Sequence, residues 1–351
     1  MKKHLKYIIL SILLISSLAL LGSCTKSSQS SEANNEPIDR SELLMGTVIS
    51  VKIYDSNDES ILDEVFNKVK DLESILSINE EGTLIDKINE ASGVNPVEVD
   101  EDTYYVLEKG LEYGKISGGR FDITIGPLVK LWSIGLEGQK LPTQEEIDSK
   151  IPLIDYNDLV LNDKNNTAFL KREGMIIDLG GIAKGYTADI ISDMLTERGV
   201  NSAIIDLGGN ILAKGKKVNG DLWKIGIQNP DAERGGTVGI IKVENKSVVT
   251  SGIYERYFEE NGVRYHHLLD PKTGYPYENN IAGITIVSDK SIDGDALSTT
   301  VFAMGIEDGL NFVNSQEGID AIFVTKDNKI YLSEGIKDNF ELSNNDFTIE
   351  N

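Results

Sequence analysis

A six-residue phrase occurs twice in the chain. Ile176-Ile177-Asp178-Leu179-Gly180-Gly181 returns 28 residues later as Ile204-Ile205-Asp206-Leu207-Gly208-Gly209. Isoleucine favours a buried strand, and paired glycines end one. Each copy therefore reads as a strand that runs into an acid and a tight turn. The two strands lie near one another if they pair, although two ordinary buried strands with glycine stops give the same pattern. Only the first copy opens a helix, Ala183 to Arg198, stopped by Gly199. Strand, glycine turn and helix N-terminus together offer backbone N–H groups and a positive dipole end to a phosphate. The spacing is neither G-x-x-x-x-G-K-[ST] nor G-x-G-x-x-G, so a plain strand-to-helix turn explains it as well.

Around this segment, strand and helix periods interleave without a strict β-α-β rhythm. Helices are expected over 60–76, 83–90, 102–117, 295–304 and 310–314. Strands are expected over 48–54, 159–161, 168–170, 175–177, 202–207, 223–228, 237–244, 247–250, 254–259 and 281–287. Ala321 to Thr325 and Lys329 to Ser333 form a hairpin over Asp327-Asn328. The pattern predicts an α+β fold with a largely antiparallel sheet and packed helices.

The chain has 351 residues, which suits one large or two ordinary domains. Acids outnumber bases 57 to 34, for a formal charge of −23, which disfavours nucleic-acid binding. One cysteine and three histidines exclude an intrachain disulfide and cysteine-rich zinc sites. A bound metal would then be hard and oxygen-ligated.

The N-terminus reads as an address. Lys2, Lys3 and Lys6 precede an apolar run from Tyr7 to Leu21, and Leu21-Gly22-Ser23-Cys24 closes it. The cysteine after Leu-Gly-Ser resembles a bacterial lipoprotein signal, in which Cys24 is lipidated. Residues 1–23 are then a signal peptide, 24–40 a lipidated cysteine and polar tether, 41–340 the catalytic domain and 341–351 a tail. The thirteen polar residues from Thr25 to Pro37 have a typical span of about 20 Å.

Three further segments carry candidate chemistry. Asp295 and Thr299 stand at i and i+4, on one helix face, where a carboxylate and a hydroxyl suit a hard cation. Asp295 is equally a sound first-turn acid. His266 and His267 precede the Asp270-Pro-Lys-Thr-Gly274 turn. They lack a third nitrogen or sulfur ligand for zinc, so one suits a base or a phosphate contact, or a hydrogen-bonded loop position. Gly118-Gly119-Arg120-Phe121-Asp122 sets an aromatic between a base and an acid, fit to receive a ring, or simply a strand entering a turn.

Six segments then fall in order: Met45-Gly46-Thr47; Arg120-Phe121-Asp122-Ile-Thr-Ile-Gly126-Pro127-Leu-Val with Leu-Trp132; Asp178-Leu-Gly-Gly-Ile-Ala-Lys184-Gly-Tyr; Thr250-Ser-Gly-Xaa-Tyr254; His267-Leu-Leu-Asp270-Pro-Xaa-Thr-Gly274; and Asp295-Ala-Leu-Ser298-Thr299. Together they resemble the FAD:protein FMN transferase (ApbE) family over about residues 43–335. The resemblance implies a T-fold-like domain that moves FMN from FAD to a Thr or Ser hydroxyl of a target protein and releases AMP. The expected metal is Mg2+, with FAD as substrate.

By position the resemblance assigns the metal to Asp295, the Thr299 hydroxyl and the Gly181 carbonyl. It assigns the FAD site to Met45, Arg120, Phe121, Asp122, Asp178, Lys184 and Leu269, and the catalytic roles to His267 and Asp295. The place of a flavin-stacking aromatic falls on Asn79, a departure that weakens FAD retention or favours hydrolysis to FMN and AMP. Neutralising Asp295 is expected to leave stability unchanged, since neighbouring acids repel without the ion. The partner implied is an extracytoplasmic acceptor protein, a subunit of a membrane redox complex, reached from a lipid anchor on the cell membrane. The alternatives are an FAD pyrophosphatase and a non-catalytic flavin-binding lipoprotein.

Overall fold

The computed structural model describes residues 36–78 and 80–350. The leader, Cys24, the tether to residue 35, and Asn79 lie outside the described residues. From Pro37 the chain forms one compact unit.

In chain order the strands are β1 (Ile38–Leu44), β2 (Thr47–Ile53), β3 (Val97–Glu98), β4 (Leu159–Asn162), β5 (Thr167–Leu170), β6 (Ser202–Leu207), β7 (Asn210–Gly215), β8 (Trp223–Gln228) and β9 (Thr237–Val243). There follow β10 (Lys246–Gly252), β11 (Tyr257–Glu260), β12 (Val263–His266), β13 (Ile281–Ser288), β14 (Asp320–Thr325), β15 (Lys329–Leu332), β16 (Phe340–Leu342) and β17 (Thr348–Glu350). The helices are α1 (Ser60–Leu76), α2 (Leu84–Glu90), α3 (Glu101–Ile116), α4 (Gly126–Trp132), α5 (Gln144–Lys150), α6 (Ala183–Glu197), α7 (Ser291–Met304) and α8 (Ile306–Asn314).

A nine-stranded sheet in the order β1-β2-β6-β7-β10-β13-β14-β15-β17 organises the unit. Every pairing in it is antiparallel except β15 with β17. This is the α+β architecture the sequence predicts. β13 is buried along its whole length, which its unbroken run of small and apolar residues allows. The small sheet β16-β9-β8 packs its Trp223, Ile225 and Ile241 onto Val248, Val287 and Ile322 of the large sheet. α7 packs against β10 and β13, and α6 against β6, β7 and α7. α7 is buried nearly all round, its polar Ser291, Asp295, Ser298 and Thr300 included, so these side chains must find partners inside the fold.

Four expectations need correction. The domain begins at Ile38, because β1 pairs along its length with β2, so residues 38–40 are sheet rather than tether. Residues 341–351 are not a free tail: β16 pairs with β9, and β17 with β15. Residues 254–256 form a turn, and the strand is β11, whose partner β12 was not anticipated.

The fourth correction concerns the repeated phrase. Its second copy is β6, but its first copy is not a ladder strand. Ile176 makes only an isolated bridge to Ile125, Asp178 N–H donates to Ile123 O at 2.8 Å, and the Ile177 backbone is held by the Asn89 side chain at 2.7 and 3.2 Å. The two copies therefore do not pair.

Candidate active site at the crossing of two helix N-termini

α7 begins at Ser291, so Asp295 is its fifth residue and Asp293 its first-turn acid. The reading of Asp295 as a first-turn acid of its own helix falls. Gly294 permits the early start, since a Cβ there would lie 2.8 Å from Ser288 Oγ and 2.9 Å from Val249 Cγ2. Asp295 instead serves the neighbouring helix. Its Oδ2 accepts the Gly185 N–H of α6 at 2.9 Å, and its Oδ1 lies 3.6 Å from Lys184 Nζ. First-turn N–H groups have no partner within their helix, and the dipole favours a carboxylate there.

One turn further, Thr299 faces the glycine turn. A Cβ on Gly181 would sit 3.7 Å from Thr299 Oγ1 and 3.1 Å from Phe121 Cε2, so the three residues converge. Ser298 and Thr300 donate to backbone carbonyls of Asp295 and Ala296. Among the described residues the Thr299 hydroxyl makes no such bond. Lys184 Nζ also donates to Gly180 O at 3.0 Å. Asp178 Oδ1 accepts the Gly180 N–H at 2.7 Å, which closes the turn. Burial pushes the Asp178 carboxyl up, against that N–H and the charges of Arg256 and Lys184.

His267 enters from the end of β12. Its backbone N–H donates to Arg256 O at 3.1 Å, and its Nδ1 lies 3.2 Å from the same oxygen. A carbonyl only accepts, so Nδ1 carries the hydrogen and Nε2 the free lone pair. Burial, with Arg256 second, holds the imidazole down at about 3, neutral at pH 7. The charge of Lys184 acts on it as well. Leu269 is buried and bridges Pro276. The other histidine, His266, turns into the core against Phe302.

Met45 sits at the tip of the β1–β2 hairpin with φ 51°, followed by Gly46 at 70°. A two-residue turn of this kind demands positive φ at both positions, and a methionine tolerates it at a cost. The tip is pinned on both sides. Met45 N–H donates to Glu73 Oε1 at 2.5 Å, and the Thr187 hydroxyl of α6 lies 3.5 Å from Met45 Sδ. Gly208, in the second copy of the phrase, packs against Thr47 so closely that a Cβ would meet Thr47 Oγ1 at 2.0 Å.

Arg120 donates to Ser117 O at 3.1 Å, and Phe121 meets Tyr113 edge-on. Asp122 differs from the expectation. Its oxygens accept Thr124 N–H at 2.8 Å, the Thr124 hydroxyl at 2.7 Å and Tyr156 N–H at 2.9 Å, and it is 7% exposed. Asp122 shapes the loop, and both of its oxygens are engaged there.

Sequence reasoning missed Arg256. Its side chain packs over Gly135, donates weakly to Gly46 O at 3.5 Å, and its charge acts on Asp178, Glu255 and His267. Its only signal was an arginine two residues after Tyr254. A cavity of about 630 Å³ lies elsewhere, lined by Tyr254, Arg264, His266, Tyr277 and Lys326, and holds none of the α6–α7 residues.

Among the described residues no three His, Cys, Asp or Glu side chains gather for a metal. A cation held here by Asp295, Thr299 and the Gly181 carbonyl would meet hard oxygens only and one carboxylate. That set suits an ion completing its shell with water and substrate phosphate. Among the described residues no helix is long and apolar enough to cross a membrane.

The ApbE family model matches residues 45–323. The FAD:protein FMN transferase of Klebsiella pneumoniae is 38% identical over 301 residues, 86% of this chain and 93% of that protein. That of Treponema pallidum is 35% identical over 329 residues, 89% and 91% of the two chains. The crystal structure of the ApbE protein from Thermotoga maritima superposes with a TM-score of 0.79 at 31% identity, covering 86% of this chain and 98% of that one. The flavin transferase ApbE from Vibrio cholerae gives 0.78 at 26% identity, covering 87% and 99%. With its motifs in order and its fold shared over nearly the whole described length, the chain belongs to the ApbE family.

Proposed function

We propose that this protein transfers FMN from FAD to a Thr or Ser hydroxyl of a target protein and releases AMP. The observation that carries the reading is the meeting of Asp295, Thr299 and Lys184 with the Gly180-Gly181 turn at the start of α6. The acceptor oxygen attacks the phosphorus on the flavin side of the pyrophosphate. The new O–P bond forms as the P–O bond to AMP breaks. The hydroxyl proton passes to His267 Nε2, which is neutral and carries its lone pair there. The nucleophile belongs to the partner, so the chain needs no activated Ser or Cys of its own.

Asp295, the Thr299 hydroxyl and the Gly181 carbonyl would hold Mg2+, which supplies charge stabilisation to the dividing pyrophosphate. Lys184 adds a fixed positive charge beside it. Met45, Arg120, Phe121, Asp178 and Leu269 bind and orient FAD. Arg256 joins them, and Asp122 supports the loop.

The leader and Cys24 support a lipid-anchored protein on the outer face of the cell membrane. The acceptor is then an exported protein with an exposed Thr or Ser loop, a subunit of a membrane redox complex. The test is incubation with FAD, Mg2+ and that acceptor, reading flavin fluorescence on the denatured acceptor. Free FMN and AMP with an unlabelled acceptor would identify a pyrophosphatase instead.

A further inference from the structure

Two carboxylates cross between α6 and α7. Asp295 of α7 accepts the Gly185 N–H of α6 at 2.9 Å. Asp189 of α6 accepts the Ser291 and Ile292 N–H groups, the first two of α7, at 2.9 and 3.0 Å. Neither helix is capped by its own N-cap side chain. Each therefore satisfies the orphan N–H groups of the other.

Gly185 and Asp189 stand at i and i+4, on one face of α6. Gly185 lets α7 come close, since a Cβ there would lie 2.3 Å from Ser291 O and 2.7 Å from Ile292 Cα. On the sheet side Ser291 is fixed separately, by its hydroxyl to Asn210 at 2.6 Å and by Ser247 at 2.9 Å. Asp189 is 7% exposed, and Asp295 lies four helical steps beyond Ser291, about 6 Å along the axis.

The geometry points to Asp189 as a positioning residue that sets the height and rotation of α7, and so where Asp295 and Thr299 aim their oxygens. The inference rests on the reading that these two hold the cation at the reacting phosphates. Hard-cation sites tolerate misplacement poorly, because Mg2+ demands near-octahedral geometry.

The test compares wild type with Asp189→Asn, which keeps the shape but turns one acceptor oxygen into a donor facing a buried N–H. Hydrogen exchange is read by mass spectrometry over residues 289–299, without FAD or metal. The magnesium concentration for half-maximal FMN transfer is read alongside. Exchange should speed up about tenfold over 289–299 but not over α8, as expected when a buried N–H loses its partner. The magnesium constant should rise about fivefold to tenfold, with kcat at saturating magnesium within about threefold of wild type.

Val313→Ala, a core change in α8, should lower the melting temperature comparably and leave the magnesium constant alone. If Asp189→Asn does not fold, Asp189→Ser, which brings in no amide donor but withdraws both acceptor oxygens, should show the same changes. Unchanged exchange and an unchanged magnesium constant in a folded variant would overturn the inference, as would an equal magnesium shift in Val313→Ala. Absence of magnesium-dependent transfer in the wild type would overturn the functional reading instead, and the exchange measurement would still decide the role of Asp189.

Discussion

Lys184 Nζ stands 3.6 Å from Asp295 Oδ1, and the same carboxylate accepts the Gly185 N–H at 2.9 Å. The acid that the family pattern assigns to a metal is thus already held between an ammonium and a helix N-terminus. The picture of Asp295 among mutually repelling acids does not hold, and removing its charge carries a stability cost. The N-termini of α6 and α7 are built on each other, because the two helices exchange caps.

Replacing Asp295 with Asn should lower FMN transfer at least about a hundredfold, equivalent to about 2.7 kcal/mol of barrier. Thr299→Val should cost about tenfold, since water can replace a neutral ligand. Asp295→Asn should also lower stability by about 1 kcal/mol, through the weakened contacts to Lys184 and Gly185. Transfer rates under magnesium titration, with urea unfolding of the same variants, check both claims. Wild-type magnesium dependence in both variants would place the metal elsewhere.

Gly185→Ala should destabilise the fold by about 1–3 kcal/mol, because the added Cβ meets backbone rather than a side chain that can swing away. Gly199→Ala makes a useful contrast. It meets no atom within 4 Å, but its φ of 76° strains any side chain, so its cost is local backbone strain of about 1 kcal/mol. Chemical denaturation separates the two: only Gly185→Ala should impair magnesium-dependent transfer.

Burial holds His266 down at about 4, from an ordinary 6.5. The unfolded chain therefore binds a proton between those values that the folded chain refuses. This contribution is complete above about 6.5 and is lost as pH falls towards 4, a total of about 3 kcal/mol. Asp189, pushed up to about 6 by burial, works in the opposite sense between 3.8 and 6. Unfolding free energies from pH 4 to 7 for wild type and His266→Gln isolate the histidine. A wild-type acid slope retained in His266→Gln would refute the assignment.

Arg256→Met should weaken FAD binding about tenfold, since a guanidinium suits phosphate and its loss leaves Lys184 as the nearer cation. It should also let the His267 pKa rise, because the Arg256 charge helps to hold it down. Flavin fluorescence titration and the pH profile of transfer read the two effects separately.

Cys24→Ala should release the protein from the membrane or leave its leader uncleaved. Fractionation of expressing cells, with a size comparison on a gel, checks this. Unchanged retention and unchanged processing together would remove the lipid-anchor reading.

Much of the fold was legible because its signals are local. α1 occupies the expected residues 60–76, where apolar positions recur at helical spacing. β1 was hidden because IDRSELL is an edge strand that alternates with half-exposed polar residues and looks like tether. The start of α7 was hidden because Asp293-Gly294 resembles a turn, whereas Gly294 is there for close packing. Motif order singled out the candidate site residues, but not how they meet. No spacing rule reveals that Asp189 caps α7 or that Asp295 caps α6, since each contact joins segments far apart in the chain; Arg256 meets His267 across the β11–β12 hairpin, whose second strand was not anticipated.

The central claim is tested most directly by intact-protein mass spectrometry of the acceptor subunit after incubation with FAD, Mg2+ and this protein, with Asp295→Asn in parallel. The account predicts an acceptor heavier by the mass of FMN less one water, with one AMP released per modified chain. Fragmentation should place the adduct on a Thr or Ser, and Asp295→Asn should give almost none. An acceptor of unchanged mass beside free FMN and AMP, or intact FAD after prolonged incubation, would contradict it.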